Sequence, residues 1–409
     1  MSENGITEAL TNAYNNFDSR PLSGETLKRF YIDDFTKDAV NSIRTTIKIS
    51  ERFRKMLVIG HRGCGKSTII NKVAEELKND FHLVSFSAAD TLNMNDVETI
   101  DILISIYLQI LNSMNDSKIN VPFSRFNDIM KSVKSKLKLT EAGVNLLNIL
   151  TFKIKVENES RAALREEFRN QIEILNNGIS DCITNIYKHY ENKDKNIKGK
   201  DVLIIIDDLD KLVPEFAEKI FFKDSHLLTM PRAKIIYTFP LETYYCEAFN
   251  AFADRYEDQF ISLVVVDQEK NSDTGIKQLE KLVLQRSAQQ YITEEALKEM
   301  IIFSGGLLRD LIKFMQDACK QAIVNDFTIV DKDIAEQVIN QTANQYKRLF
   351  DFPNYREEVK KIASESQRDE VENQDLIYLL KYLFVLEYRF EDELWYDVHP
   401  CLKKVLNRQ

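Results

Sequence analysis

The stretch Lys55-Met56-Leu57-Val58-Ile59-Gly60-His61-Arg62-Gly63-Cys64-Gly65-Lys66-Ser67-Thr68 decides the fold. Its first six residues form a short, apolar, β-branched run, the pattern of a buried strand. Residues 60–67 match G-x-x-x-x-G-K-[ST] in full, and helical spacing resumes after them in IINKVAEEL, residues 69–77. The spacing has a physical reason. Small residues let consecutive backbone N–H groups turn inward around a phosphate, and the following helix adds its positive N-terminal end. Lys66 can reach β- and γ-phosphates, and the Ser67 hydroxyl can ligate Mg²⁺. Gly60, Gly63 and Gly65 permit the turn. His61, Arg62 and Cys64 fill and shape it, and Thr68 opens the helix. A strand before and a helix after are the context a phosphate-binding loop (P-loop) requires.

Outward from that loop the same grammar repeats. FHLVSFSA (81–88), DVLIIIDDLD (201–210), AKIIYTFP (233–240) and FISLVVVD (260–267) read as strands, and VETIDILISIYLQILNSM (97–114) reads as an amphipathic helix. Strands separated by helices predict an α/β fold, a parallel sheet sandwiched by helices. Residues 51–267 are expected to form this core, with a mostly helical insertion at about 116–200 and a helical lead-in over 1–50. Within the insertion, LLNILTFKIKV (146–156) fits either a hairpin or a helix end. After residue 268 the strands stop. Helix, Gly-Gly turn and helix follow in 292–323, and a further helix in 331–350, so 268–345 reads as a small helical lid. In 346–409 a helix (370–383), a hairpin with an acidic turn (384–398) and a last helix suggest a winged-helix-like module.

A second acidic signal supports the loop. Ile204-Ile205-Ile206-Asp207-Asp208 closes an apolar strand about 140 residues downstream, as a Walker B strand does. Acids after a strand are commonly a solvated turn. In a chain that also carries a P-loop, Asp207 reads as the residue holding Mg²⁺ through water, and Asp208 as the one polarising an attacking water. Asp210 and Lys211 read as local structure, a salt-bridged turn.

Composition excludes several classes. At 409 residues, with 44% hydrophobic and 29% charged side chains, the chain is globular and long enough for two or three domains. A net charge of -9 gives no overall basic footprint for nucleic acid. Lys131, Lys134, Lys136 and Lys138 form a basic stretch that reads first as a solvated helix face. In 346–409 acids outnumber bases, so its aromatic residues Tyr382, Phe384, Tyr388, Phe390, Trp395 and Tyr396 read as a hairpin core. Five dispersed cysteines and five dispersed histidines show no zinc spacing, and the odd cysteine count suits reduced thiols. The first residues show neither a basic n-region nor an apolar h-region, and no run reaches membrane-spanning length. A cytoplasmic protein without membrane contact is expected. No N-K-x-D base-recognition motif is present, since Asn192-Lys193-Asp194-Lys195 places the acid one position early, so ATP is favoured over GTP.

GHRGCGKST and IIIDDLDKL, with the strands between them, resemble the additional-strand P-loop ATPases. Within these the chain is similar to the AAA+ and STAND groups, including origin-recognition-type and KAP-type ATPases, over roughly residues 30–345. The resemblance implies further roles. Thr238, ending KIIYTFP, stands where such ATPases carry the sensor-1 residue that reads the γ-phosphate. Ser304-Gly305-Gly306-Leu307-Leu308-Arg309-Asp310-Leu311 resembles the sensor-2 turn, whose arginine reaches the nucleotide from the lid. Arg255, before the last strand, occupies the arginine-finger place, and Arg161, Arg165 and Arg169 are alternative sources of a contact in trans. Two features depart from the family form. Asp208 stands where many members carry Glu, which implies slow hydrolysis or action mainly as a switch, and no arginine pair precedes the last strand. A compact small-molecule kinase would lack the Gly-Gly-Arg lid and the hairpin tail.

These features imply a Mg²⁺-dependent, ATP-binding and ATP-hydrolysing protein that self-associates. Three classes stay open: a STAND-like switch controlling a protein partner, a build often met in bacterial stress or phage defence; a DNA-associated AAA+ loader or remodelling ATPase; and a nucleotide-binding scaffold without turnover.

Overall fold

The apolar run at 55–60 forms a strand buried at all of its positions. A computed structural model describes residues 3–50, 53–121, 131, 143–193, 199–267, 273–350, 356–364 and 373–406. Lys134, Lys136 and Lys138, and the Asp194-Lys195 pair, lie outside these residues. In chain order the principal elements begin with α1 (Glu3–Asn16), α2 (Gly24–Phe30), α3 (Lys37–Ile49), β1 (Lys55–Gly60), α4 (Lys66–Leu77) and β2 (Phe81–Ser87). Then come α5 (Thr99–Asp116), α6 (Gly143–Val156), α7 (Asn158–Asn170), α8 (Ile172–Lys193), β3 (Asp201–Asp207), β4 (Lys234–Pro240) and β5 (Glu257–Phe260). The remainder is α9 (Thr274–Leu284), α10 (Glu294–Phe303), α11 (Leu308–Val324), α12 (Lys332–Phe350), α13 (Arg356–Ser364), α14 (Asn373–Lys381), β6 (Val385–Phe390), β7 (Glu393–Val398) and α15 (Pro400–Leu406). LLNILTFKIKV is therefore helix, in α6.

The chain divides into two compact units. One comprises Asn41–Ile59 and Val73–Gln259 and holds the sheet, in the order β2-β3-β4-β1-β5. β2, β3 and β4 run parallel, with Ser87 opposite Asp207 and Ile206 opposite Tyr237. Strands covered on both faces need apolar residues at successive positions, which is why β3 and β4 read as unbroken apolar runs. α5 is buried nearly all round. An aromatic cluster of Phe221, Phe222, Phe239 and Phe249, at ring separations of 4.9–6.3 Å, fills the space beside β4.

The other unit comprises Met1–Val40, Gly60–Lys72 and Phe260–Gln409. α1 packs on α11, α10 and α11 on α12, and α12 on α15. β6 and β7 form the expected antiparallel hairpin, with Tyr388 opposite Trp395 and their rings stacked at 5.4 Å.

One strand boundary differs from expectation. FISLVVVD was to be the last strand, but β5 is the polar segment Glu257–Phe260, and residues 261–267 carry no strand. The apolar run still buries Ile261, Leu263, Val264, Val265 and Val266. It does so against helical elements of its own unit, where Gly275 and Gly306 come close to the carbonyls of Val265 and Val264. Apolar content read as strand here reflects burial against helices, and the sheet itself closes on a short polar edge.

Candidate functional site

β1 delivers the chain into the loop, and α4 begins at Lys66. Gly63 and Gly65 have φ of +92° and +104°, a region open to glycine and strained for other residues. A β-carbon at Gly63 would lie 2.8 Å from Arg309 Cβ, and one at Gly65 would lie 3.0 Å from Leu308 Cδ1. The first turn of α11 therefore rests directly on the loop, and the Arg309 N–H donates to the Gly63 carbonyl at 3.1 Å. Lys66 is 4% exposed, and its ammonium donates to the carbonyls of Gly60 (2.7 Å) and His61 (2.9 Å). The amides opening α4 are donors that no intrahelical carbonyl can satisfy, which suits a bound anion. Thr68 Oγ1 accepts from the Leu22 N–H at 3.1 Å, and Asn71 Nδ2 donates to the Leu22 carbonyl, so the N-terminal lead-in docks on α4.

His61 reaches the other way. Its Nε2 accepts from the Glu387 N–H of β6 at 2.7 Å, in a buried setting. Burial, and after it the nearby Lys66 ammonium, push the imidazole pKa down to about 3. The ring is thus neutral near pH 7 and serves as an acceptor. Tyr388 Oη donates to the Gly305 carbonyl at 2.9 Å, so the hairpin also grips the Gly-Gly turn ahead of Arg309. The His61–Glu387 bond joins residues 326 positions apart and leaves no local sign in the sequence. A buried polar residue inside the loop motif was the available hint.

The acidic residues lie in the sheet-bearing unit. Asp207 ends β3, and its Oδ1 accepts from the Asp208 N–H at 2.7 Å. Asp208 adopts φ +67°, a left-handed conformation that Asp tolerates, and so turns away from the strand direction. Its carboxylate accepts from Ser87 Oγ at 2.6 Å and pairs with Lys211 Nζ at 2.6 Å. Lys211 makes the expected salt-bridged turn. Ser87 was not singled out from sequence, though its place at the end of the neighbouring parallel strand was a usable signal. Thr238 is fully buried, and its hydroxyl accepts from the Leu209 N–H at 3.0 Å, fixing the turn after β3. Asp207, Asp208 and Asp210 can bring one oxygen each to within 4.8 Å of one another. Hard carboxylate oxygens in such a group fit Mg²⁺ and do not fit a soft metal.

The arginines divide. Arg255 is exposed on a short turn, with Nη1 donating to Ser225 Oγ at 2.8 Å and the guanidinium over the Phe252 ring. It has no acidic partner among the described residues. Arg161, Arg165 and Arg169 are instead committed within the chain. Arg161, 1% exposed, donates to Asp96 at 3.0 Å, Arg165 grips both Asp101 oxygens at 2.6–3.1 Å, and Arg169 pairs with Glu98. This network ties α7 to the start of α5 and corrects their reading as free groups for a contact in trans. All five cysteines are buried thiols, and among the described residues no helix is long and apolar enough to cross a membrane.

Comparison with known proteins is consistent with these motifs. Residues 39–239 match the KAP family P-loop domain. Cdc6p from Pyrobaculum aerophilum is similar in structure, at 12% identity and a TM-score of 0.46, over 96% of this chain and 97% of that one. The ORC2 protein of Aeropyrum pernix gives 9% identity and a TM-score of 0.43, over 96% of each chain. The RuvB Holliday junction branch migration motor of Thermotoga maritima gives 13% and 0.38, over 95% of this chain and 98% of that one. No protein of curated function matches by sequence. Residues 39–239 thus carry a P-loop domain similar to that of the KAP family.

Proposed function

We propose that the chain binds and hydrolyses ATP and uses nucleotide state as a switch that controls a protein partner. The observation carrying this reading is the seat of α11 on the loop, where the Arg309 N–H meets the Gly63 carbonyl. A phosphate entering the loop competes for the Lys66 ammonium, now held by the Gly60 and His61 carbonyls. It also meets Arg309 at the first turn of α11. Both changes act on elements already bonded to the C-terminal hairpin, His61 through Glu387 and Gly305 through Tyr388. Occupancy thereby biases lid and hairpin together, which is what a two-state switch requires.

For turnover, Asp208 is the residue that would orient and deprotonate water, with Ser87 and Lys211 holding its carboxylate in place. Thr238 braces the turn carrying that acid. Ser67 by its motif position and Asp207 by its strand end are the residues that would hold Mg²⁺. When bound, that ion neutralises charge on the terminal phosphates. Arg255, exposed and without an acidic partner among the described residues, is the group through which a second copy would read the nucleotide.

Steady-state ATP turnover, run beside light-scattering mass with and without DNA, tests the reading. Wild type should turn over and gain mass with ATP, and Lys66→Ala should do neither. Turnover that rises only with DNA would replace the switch reading with a loader. Turnover unchanged in Lys66→Ala would remove it.

A further inference from the structure

Beside the P-loop, within the same unit, lies a cavity of about 310 Å³. Arg62, Arg309, Lys313, Lys381, Gln345 and Tyr382 line it. Of the loop motif only Arg62 contributes to the lining; none of residues 63–68, whose amides and lysine make the phosphate cradle, does, so the cavity lies beside that cradle. Four cations face it in a chain whose net charge is -9. None of the four is in an ion pair among the described residues. The acid in the lining, Asp310, has its carboxylate 3.3 Å from His399 Nε2, and His399 in turn stacks on Tyr346 at 4.5 Å. Four cations against this one carboxylate leave the lining with a net positive charge. Like charges gathered around one concave space repel, and an anion there removes that cost and takes charge-assisted bonds from each. Gln345 adds an amide, and Tyr382, 41% exposed just past the end of α14, adds an aromatic face. The volume is at the lower end of small-ligand pockets.

We propose that this cavity, between the start of α11 and the end of α14, binds a phosphorylated small molecule bearing several anionic oxygens, separately from the P-loop. The site rests on the ATP reading only in sharing Arg62 and Arg309 with the loop. A ligand that engages Arg309 from this side withdraws it from the loop, which makes the cavity a control point on the lid.

The test uses the full chain carrying Lys66→Ala, in chelator, so that P-loop binding is disabled and its success or failure cannot decide the outcome. Sodium tripolyphosphate is titrated by calorimetry. The expected result is saturable one-to-one binding that weakens at least tenfold when Lys313→Ala and Lys381→Ala are added, with near-wild-type thermal unfolding confirming that these variants are folded. Tighter binding of ATP or GTP than of tripolyphosphate, lost in Tyr382→Ala, identifies a nucleotide as the source of the phosphates. Equal binding identifies a free polyphosphate. No saturable binding, or binding that survives loss of both lysines, overturns the proposal. So does a mixed-sequence oligonucleotide that outcompetes tripolyphosphate through the same lysines, since the surface would then serve a nucleic acid.

Discussion

Replacing His61 by Phe separates two consequences of one buried contact. The ring keeps most of the volume, but the acceptor for the Glu387 N–H is lost. A buried donor left without a partner costs about 1–3 kcal/mol, and this penalty is present at neutral pH. The second consequence appears in acid. In the folded chain the imidazole pKa is about 3, while an unfolded histidine titrates near 6.5. Between those values the unfolded state binds the proton and the folded state does not, so stability falls as pH falls through that window. From pH 6 to pH 4 the His61 contribution to that fall is about 2.5 kcal/mol. His82, whose pKa is also depressed by burial, to about 4, adds a fall of the same sign. Asp258, raised by burial to about 6, works in the opposite direction. Both are common to wild type and variant, so the difference between the two proteins isolates His61. The chain's single tryptophan, Trp395, lies in β7 opposite Tyr388, so its fluorescence reports the hairpin directly. Urea titrations followed at Trp395 should show His61→Phe weaker than wild type at pH 7 and less sensitive between pH 6 and 4. An acid-dependent loss of equal size in both proteins would refute the buried, neutral imidazole and its bond to β6.

Other substitutions probe separate parts. Gly63→Ala forces a β-carbon to φ +92° and to 2.8 Å from Arg309 Cβ, and should cost about 2 kcal/mol while weakening ATP binding, both read by thermal unfolding with and without nucleotide. Arg165→Ala strands the buried Asp101 carboxylate and should destabilise the sheet-bearing unit by about 3–5 kcal/mol in urea. Asp208→Asn should lower ATP turnover by about 100-fold or more and leave the ATP dissociation constant within a few-fold, measured by phosphate release and by titration.

Much of this architecture was legible because it is local. The P-loop needs glycines at fixed offsets between a strand and a helix, and β3 needs an apolar run closing on acids; both are written in consecutive residues. The Gly-Gly turn before Arg309 was legible for the same reason. What escaped reading depends on partners distant in sequence. The apolar run at 261–267 looks like a strand because burial, whether against a sheet or against helices, asks for the same residues. Arg161, Arg165 and Arg169 looked available because their partners Asp96, Glu98 and Asp101 lie about one insertion arm upstream. The Ser87 contact to Asp208 and the His61 contact to Glu387 exist only once strand register and hairpin placement are set.

The most direct test of nucleotide recognition by the loop is an equilibrium titration of Mg²⁺–ATP into wild type and Lys66→Ala. Loss of an ammonium that bonds phosphate removes about 1.5–3 kcal/mol, so ATP affinity should fall roughly 10- to 150-fold in the variant, with folding unchanged by circular dichroism. Equal affinity in the two proteins, or no ATP binding by wild type, would contradict the account.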